Sequence, residues 1–140
     1  MSTLERAIAI AAKAHAGQTD KAGEPYILHP LRLMLAMESE QERIVAILHD
    51  VVEDSGITLK DLRAEGFAEE AVAAIDALTK RDGESKMDAA ARAKVNALAL
   101  RVKLADNADN QDMILVADPT EADVARIEEY RRIRAFLLAP

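Results

Sequence analysis

Apolar residues recur every three or four positions along this 140-residue chain, which is the spacing of one face of an α-helix. No segment sustains the alternation of apolar and polar residues that is typical of a β-strand, so the pattern predicts an all-α fold. No internal repeat, low-complexity segment or linker divides the chain. The length suits one domain with a hydrophobic core, and we therefore expect a single helical domain over residues 1–140.

Helix boundaries are predicted from capping residues, glycines and prolines. A Ser or Thr followed three residues later by an acidic residue marks three expected helix starts: Ser2 with Glu5, Ser39 with Glu42, and Thr120 with Asp123. The predicted helices cover residues 2–16, 31–37, 39–55, 59–64, 68–80, 86–95, 98–115 and 120–138, with a break at 118–120. Because Pro30 disfavours helical backbone in the residue before it, we expect His29 to be extended, and Pro30 can itself serve as a first helical residue before Leu31.

Residues 44–54 of the central helix combine apolar positions that require burial with four polar groups. His49 and Glu53 are four residues apart, as are Asp50 and Asp54, so a helix brings all four to adjoining strips of one face. Burying an imidazole and three carboxyls is costly unless they are paired or bound to a cation. A hydrogen-bonded polar core remains possible, but the cost of buried carboxylates favours a metal site.

The remaining ligands of such a site must be histidines and carboxylates, because the chain contains no cysteine. This ligand type suits Mn, Fe, Zn or Mg. His15 lies on an apolar helix face, so a structural or supporting role is expected for it. His29 stands at a loop-to-helix junction and His49 beside Asp50, which makes both of them ligand candidates.

One further ligand is needed, and the candidate is Asp106, on an otherwise apolar helix with Asn110 one turn further on. The spacing alone does not distinguish Asp106 from Asp109 or Asp112.

The charge and the apolar content of the chain limit the kinds of molecule that it is expected to bind. A net charge of −7 argues against duplex nucleic acid or an anionic membrane, but not against a phosphorylated small molecule bound through a metal and a few local cations. The N-terminus does not read as a signal peptide, and no apolar stretch is long enough to span a bilayer, so a cytoplasmic enzyme is expected. The pattern gives no oligomeric state.

Four stretches in order carry a family resemblance that covers nearly the whole chain. They are Ala14-His15-Ala16-Gly17-Gln18, Gly23-Glu24-Pro25-Tyr26-Ile27-Leu28-His29-Pro30, Leu48-His49-Asp50-Val51-Val52-Glu53-Asp54 and Val102-Lys103-Leu104-Ala105-Asp106. The set resembles the HD-domain metal-dependent phosphohydrolases, and within them the hydrolase domain of the Rel/SpoT family, especially its small stand-alone hydrolases.

The resemblance implies an all-α HD-domain bundle with a single divalent ion, Mn²⁺. The implied reaction removes the 3′-diphosphate of guanosine tetra- or pentaphosphate, (p)ppGpp, to give GDP or GTP and pyrophosphate, which ends the stringent-response signal. No synthetase domain is expected in these 140 residues.

The resemblance also assigns roles. It implies that the metal ligands are His29, His49, Asp50 and Asp106. Glu53 and Asp54 match the acidic pair thought to orient or deprotonate the attacking water. The residues matched to the substrate are Lys21, Asn110 and Tyr130, with Arg126 expected on the same helix face as Tyr130.

Two departures from the family pattern affect the expected substrate pocket. Asp20 stands where relatives have arginine, so we expect a poorer KM for a polyanion and an improvement in Asp20→Arg. Lys86, Met87 and Ala89 follow Ser85, where relatives of this type often have aromatic residues.

Two other functions therefore stay open beside (p)ppGpp hydrolysis. One is hydrolysis of another nucleotide on the same fold, such as a phosphate of NADPH or a deoxynucleotide monophosphate. The other is non-catalytic binding of a metal or nucleotide, against which Glu53 and Asp54 argue, because a mere binding site does not need them.

Overall fold

Helices make up all the regular secondary structure of residues 2–114 and 119–140, which are the residues that this computed structural model describes. They are α1 Leu4–Ala14, α2 Leu28–Ala36, α3 Glu40–Leu48, α4 Val51–Asp54, α5 Leu59–Ala64, α6 Glu69–Leu78, α7 Lys86–Lys94, α8 Ala97–Ile114 and α9 Glu121–Leu138. The only β pairing in these ranges is an isolated bridge between Thr19 and Pro25. The predicted all-α fold is confirmed. Leu115 and Asp118, at the predicted end of the seventh helix and its break, lie outside the described residues.

The hydrophobic core is organised around α3. Residues 44–48 are each at most 1% exposed, and α1, α2, α6 and α8 pack around them. Each fully buried Ile, Leu or Val side chain contributes about 1.5–3 kcal/mol. The end of α3, where the polar residues begin, is therefore held in place from several sides.

A second, smaller apolar cluster joins α7, α8 and α9. Its buried members are Ala90, Ile133 and Leu137, with Leu100, Leu104 and Phe136 packed against them. This cluster places α9 beside α7 and α8, and the cavity described below opens between that group and α3–α4. No helix in the described ranges is both long and apolar enough to cross a membrane.

The predicted caps at Ser39 and Thr120 are confirmed, but the one at Ser2 is wrong. Helix α1 begins at Leu4, and the Thr3 hydroxyl accepts the Arg6 N–H at 3.2 Å. The Ser2 backbone N–H instead donates to the Gly66 carbonyl at 2.9 Å, which ties the N-terminus to the end of α5.

Helix α2 begins earlier than predicted, at Leu28, so His29 is helical and not extended. Pro30 is tolerated as the third residue because the N–H groups of the first turn have no partner within the helix. The His29 side chain bonds to α8, which compensates for the local preference against helix before proline.

The central helix is interrupted, contrary to the prediction of one helix to Ser55. Helix α3 ends at Leu48, His49 and Asp50 form a turn, and α4 begins at Val51. His49 Nδ1 lies 2.7 Å from the Ala46 carbonyl, which in an uninterrupted helix accepts the N–H of Asp50. The side chain competes for that acceptor, and this explains why the break falls at His49.

Arg92 of α7 holds the loop between α6 and α7. Its guanidinium donates to both Glu84 carboxylate oxygens at 2.6 Å and to the Thr79 carbonyl at 2.7 Å. Glu84 also accepts the Arg81 N–H at 2.7 Å. These hydrogen bonds, led by those from Arg92, lower the pKa of Glu84 to about 2.

We predict that Glu84→Gln destabilises the protein in a pH-dependent way. Because the folded-state pKa of Glu84 is depressed, its contribution is present above about pH 4.5 and lost as the pH falls toward 2. Urea unfolding of wild type and Glu84→Gln from pH 2 to 7 should show a stability difference that is largest near neutrality and closes toward pH 2. In the control, Glu69→Gln, the difference should be smaller, because the Arg63–Glu69 pair is on the surface. A Glu84→Gln difference that is constant over this range would contradict the prediction.

Candidate metal centre and catalytic cavity

His49 is buried directly after α3, and the hydrogen-bond partner of one ring nitrogen shows which nitrogen carries the proton. Nδ1 faces the Ala46 carbonyl, which can only accept, so Nδ1 is the donor. In the neutral ring, the Nε2 lone pair then points toward Asp50 Oδ2 at 2.9 Å and Asp106 Oδ1 at 3.5 Å. Nε2 is buried and has no hydrogen-bond partner in the described residues.

His29 approaches the same point from α2. Its Nδ1 lies 2.6 Å from Asp109 Oδ2, and its Nε2 lies 2.9 Å from Asp106 Oδ1. The side chain is 3% exposed. The two histidine rings are 5.4 Å apart, centroid to centroid. The prediction that His29 and His49 belong to one site therefore agrees with the geometry.

Asp50 and Asp106 complete a compact cluster with the two histidines. One ligand atom each from His29, His49 and Asp50 lie within 4.8 Å of one another, and Asp106 Oδ1 contacts both Nε2 atoms. The lone pair of a neutral imidazole nitrogen repels a carboxylate oxygen that faces it. Such contacts are stable only when a proton or a cation lies between the two groups. The orphaned His49 Nε2 and the mixed His–carboxylate donor set fit a divalent ion.

The electrostatics of the cluster also favour a bound cation. Burial disfavours the charged form of His49, but Asp50 and Asp106 outweigh it and raise the pKa of His49 well above its ordinary value. Burial likewise opposes ionisation of Asp106, yet the adjacent His29 and His49 rings and the charge of Lys103 lower the pKa of Asp106 well below its ordinary value. The carboxylates therefore stay charged and attract a cation, whose binding would release the protons.

Next to the cluster is a cavity of about 380 Å³. Its polar lining outside the cluster is Tyr26, Glu53, Asp54, Lys80, Lys86, Lys103, Asn107, Asn110 and Tyr130. Both members of the predicted acidic pair thus border the cavity. Burial and the charges of Asp50 and Glu53 raise the pKa of Asp54. Glu53 also accepts the Lys80 backbone N–H at 2.9 Å, which fixes the start of the α6–α7 loop.

Two of the four predicted substrate residues border the cavity and two do not. Asn110 and Tyr130 line it, and Asn110 donates to Asp106 Oδ1 at 3.2 Å. Lys21 and Arg126 are absent from its lining, and their role in binding the substrate stays a prediction. Arg126 lies 3.9 Å from Asp123, and the cavity meets α9 further along, at Tyr130 and Ile133.

The loop around Asp20 explains the position of Lys21. The Asp20 carboxylate accepts the N–H groups of Ala22 and Glu24 at 2.9 and 3.0 Å, which closes the loop on itself and leaves Lys21 exposed. Asp20→Arg would remove both bonds. The substitution therefore changes the loop as well as its charge, which the sequence did not reveal.

Three lysines line the cavity, Lys80, Lys86 and Lys103, and sequence reasoning assigned a substrate role to none of them, although it placed Lys86 in the region of the expected pocket. Lys103 stands three residues before Asp106, and this spacing alone could have indicated a shared helix face. Lys86 begins a weakly amphipathic helix, so the hydrophobic pattern did not predict which way its side chain points. In the fold its Nζ lies 5.1 Å above the ring of Tyr130 and 3.1 Å from Glu129.

Tyr26 and His15 support the site from the α1–α2 side. The Tyr26 phenol donates to Asp50, and burial together with the Asp50 charge raises the pKa of Tyr26, so the phenol stays protonated. His15 is 2% exposed, with Nδ1 2.8 Å from the Gln18 side chain, whose amide also donates to the Asp54 carbonyl. His15 lies outside the cluster, in keeping with its expected structural or supporting role.

The helical architecture and the His–Asp cluster define a class of protein. The sequence model of the HD domain family matches residues 7–137. The chain therefore belongs to the HD domain family, and the predicted resemblance is confirmed at this level. An HD domain implies a divalent metal ion, for which this structure offers the cluster just described.

Among curated proteins, the chain is similar to enzymes named for (p)ppGpp metabolism. The guanosine-3′,5′-bis(diphosphate) 3′-pyrophosphohydrolase of Vibrio cholerae is 37% identical over 86 residues, which are 59% of this chain and 12% of that protein. The bifunctional (p)ppGpp synthase/hydrolase SpoT of Escherichia coli is 34% identical over 121 residues, 76% of this chain and 17% of that protein. The chain thus spans less than a fifth of the length of these relatives.

A solved structure shares the fold. It belongs to a metazoan ortholog of SpoT that is described as hydrolysing ppGpp and acting in starvation responses. The TM-score is 0.79 at 22% identity, over 99% of this chain and 86% of that one. The likeness supports the HD-domain arrangement of the helices.

Proposed function

We propose that this chain is a metal-dependent (p)ppGpp 3′-pyrophosphohydrolase that releases pyrophosphate and leaves GDP or GTP. The observation that carries the proposal is one cavity bordered by a buried His–Asp cluster, a pair of acidic residues and three lysines. Relatives named for this reaction and for (p)ppGpp synthesis and hydrolysis support the choice of substrate.

In this proposal His29, His49, Asp50 and Asp106 hold one Mn²⁺ ion. His29 and His49 offer Nε2, and the carboxylates of Asp50 and Asp106 face both rings. When bound, the ion lowers the pKa of water and neutralises phosphoryl oxygens. Tyr26 orients Asp50, and Asn110 orients Asp106, through their hydrogen bonds.

The acidic pair serves the proton transfer. Asp54 borders the cavity with a raised pKa, which suits a carboxylate that takes a proton from the attacking water. Glu53 orients the same water through its free oxygen while its other oxygen holds the Lys80 N–H. Neither residue is a ligand in this account.

The lysines and two polar side chains select the substrate. A nucleotide with diphosphates on both the 3′ and 5′ positions carries several negative charges, and Lys80, Lys86 and Lys103 supply three positive ones at the cavity wall. Asn110 can exchange hydrogen bonds with a sugar or base, and Tyr130 can stack on a base. This lining fits a polyphosphorylated nucleotide better than a monophosphate.

We predict that the purified protein holds about one divalent ion per chain. His49→Ala and Asp106→Ala should lower the metal content strongly, because each removes a ligand from the cluster. Elemental analysis of each folded variant measures the metal content. The control is Asp112→Ala, which removes an exposed carboxylate on the helix that carries Asp106 and should retain the metal. Unchanged metal in either cluster variant would remove that residue from the ligand set.

We predict that Asp54→Asn lowers kcat by about 10²-fold or more with metal content unchanged, because it removes the proton acceptor. Glu53→Gln should also lower kcat, with an additional effect on the loop that its Lys80 contact holds. Steady-state kinetics at saturating metal test both variants, and Asp112→Asn serves as the carboxylate control. Full activity in both amide variants would eliminate the catalytic role of the pair.

We predict that ppGpp is converted to GDP and pyrophosphate faster than NADPH or deoxynucleotide monophosphates lose phosphate. Chromatography of a nucleotide panel incubated with the Mn²⁺-loaded protein gives the ranking. Rapid hydrolysis of another nucleotide, with ppGpp left intact, would keep the HD fold and reject this substrate.

Two lysine variants show whether the cavity wall binds the phosphates. Lys86→Ala should raise the KM for ppGpp about tenfold, the equivalent of one charge-assisted hydrogen bond of about 1.5 kcal/mol. Lys21→Ala, at the exposed loop tip, should change the KM less than about twofold. The reverse order would favour the sequence-based role of Lys21 over that of Lys86.

A further inference from the structure

Arg32, Asp109 and His29 form a continuous line of hydrogen bonds from the protein surface to the His–Asp cluster. Arg32 Nε and Nη2 lie 2.7 and 3.0 Å from the two Asp109 oxygens, a two-point contact. Asp109 Oδ2 lies 2.6 Å from His29 Nδ1. The side chains are 44%, 14% and 3% exposed in that order, so the line runs inward.

The hydrogen bonds of Asp109 determine which ring nitrogen of His29 carries the proton and which one turns a lone pair toward the cluster. Arg32 donates N–H groups to both oxygens of Asp109, so both oxygens accept and Asp109 is a carboxylate. A carboxylate only accepts, and therefore His29 Nδ1 carries the proton. In the neutral ring, Nε2 then presents its lone pair on the side of Asp106.

The geometry also fixes the orientation of the His29 ring. Asp106 and Asp109 are one turn apart on α8 and contact opposite nitrogens of that ring. Arg32 is one turn after His29 on α2, so it reaches the carboxylate that His29 also contacts. Without the guanidinium, the Asp109 carboxylate could rotate away from Nδ1.

We propose that Asp109 is a positioning residue of the metal centre, and that the surface residue Arg32 acts on the centre by holding Asp109. Asp109 is not itself a ligand, because it contacts the ring nitrogen that faces away from the cluster. The inference rests on the proposed metal site and assigns part of its affinity to two residues outside the ligand set.

The test measures Mn²⁺ affinity by competition with a chelating dye in Asp109→Ala, Arg32→Ala and the double variant. Asp109→Ala should weaken binding about 10- to 100-fold, as for other partners of metal-bound histidines. Arg32→Ala should weaken it less, because Asp109 remains. The double variant should match Asp109→Ala, because Arg32 acts only through Asp109.

The matched control is Arg6→Ala. Arg6 makes the same two-point contact with Glu65, at 2.8 Å for both bonds, on a surface away from the cavity. Its removal should leave Mn²⁺ affinity within about twofold of wild type, since surface changes of this kind have small effects.

A second readout separates positioning from general stability. In ¹⁵N NMR of the protein loaded with diamagnetic Zn²⁺, His29 should carry its proton on Nδ1 in wild type. Asp109→Ala should lose the slowly exchanging Nδ1 proton. Asp109→Asn, which keeps the size and one acceptor oxygen, should recover part of the affinity and serves if the alanine variant does not fold.

The outcomes are distinguishable. Wild-type affinity in both folded Asp109 variants would overturn this inference while the metal site stands. Additive losses in the double variant would overturn the part assigned to Arg32. A wild-type chain that takes up no divalent ion would overturn the proposed metal site and this inference with it.

Discussion

Two imidazole rings and two carboxylates buried against one another are the constraint on which this structure depends. Such groups are tolerated in an interior only when charge and hydrogen bonds balance. Here each histidine has one nitrogen bonded outward, to the Ala46 carbonyl or to Asp109, and its other nitrogen turned toward Asp50 and Asp106. A cation at the centre is the simplest way to satisfy all four groups together.

The fold supports that arrangement from three directions. The apolar residues of α3 anchor the turn at His49, and α4 follows this turn with Glu53 and Asp54 at the border of the cavity. Helices α2 and α8 bring His29 and Asp106 together from positions 77 residues apart in sequence. Helix α9, held by its own small cluster, adds Tyr130 to the far wall. Packing, rather than local preference, therefore positions the site.

The sequence could predict what local spacing determines. The grouping of His49 with Asp50, Glu53 and Asp54 follows from helical geometry and survives the unpredicted break, because Asp54 N–H still bonds to the Asp50 carbonyl at 2.9 Å. Spacing could not separate Asp106 from Asp109, and the family resemblance was needed for that choice. Their different roles arise from which nitrogen of His29 each contacts. Spacing also could not show that Asp20 bonds within its own loop and that Lys21 lies exposed there, away from the cavity lining.

The most direct test of the central claim is the anomalous scattering of Mn²⁺ in crystals of the wild-type protein. The account predicts a single strong peak within about 2.0–2.3 Å of His29 Nε2, His49 Nε2 and oxygens of Asp50 and Asp106. The Asp109 carboxylate should remain on Nδ1 of His29, outside the coordination sphere. A peak at another position, or ligation through Asp109 in place of Asp106, would contradict the account.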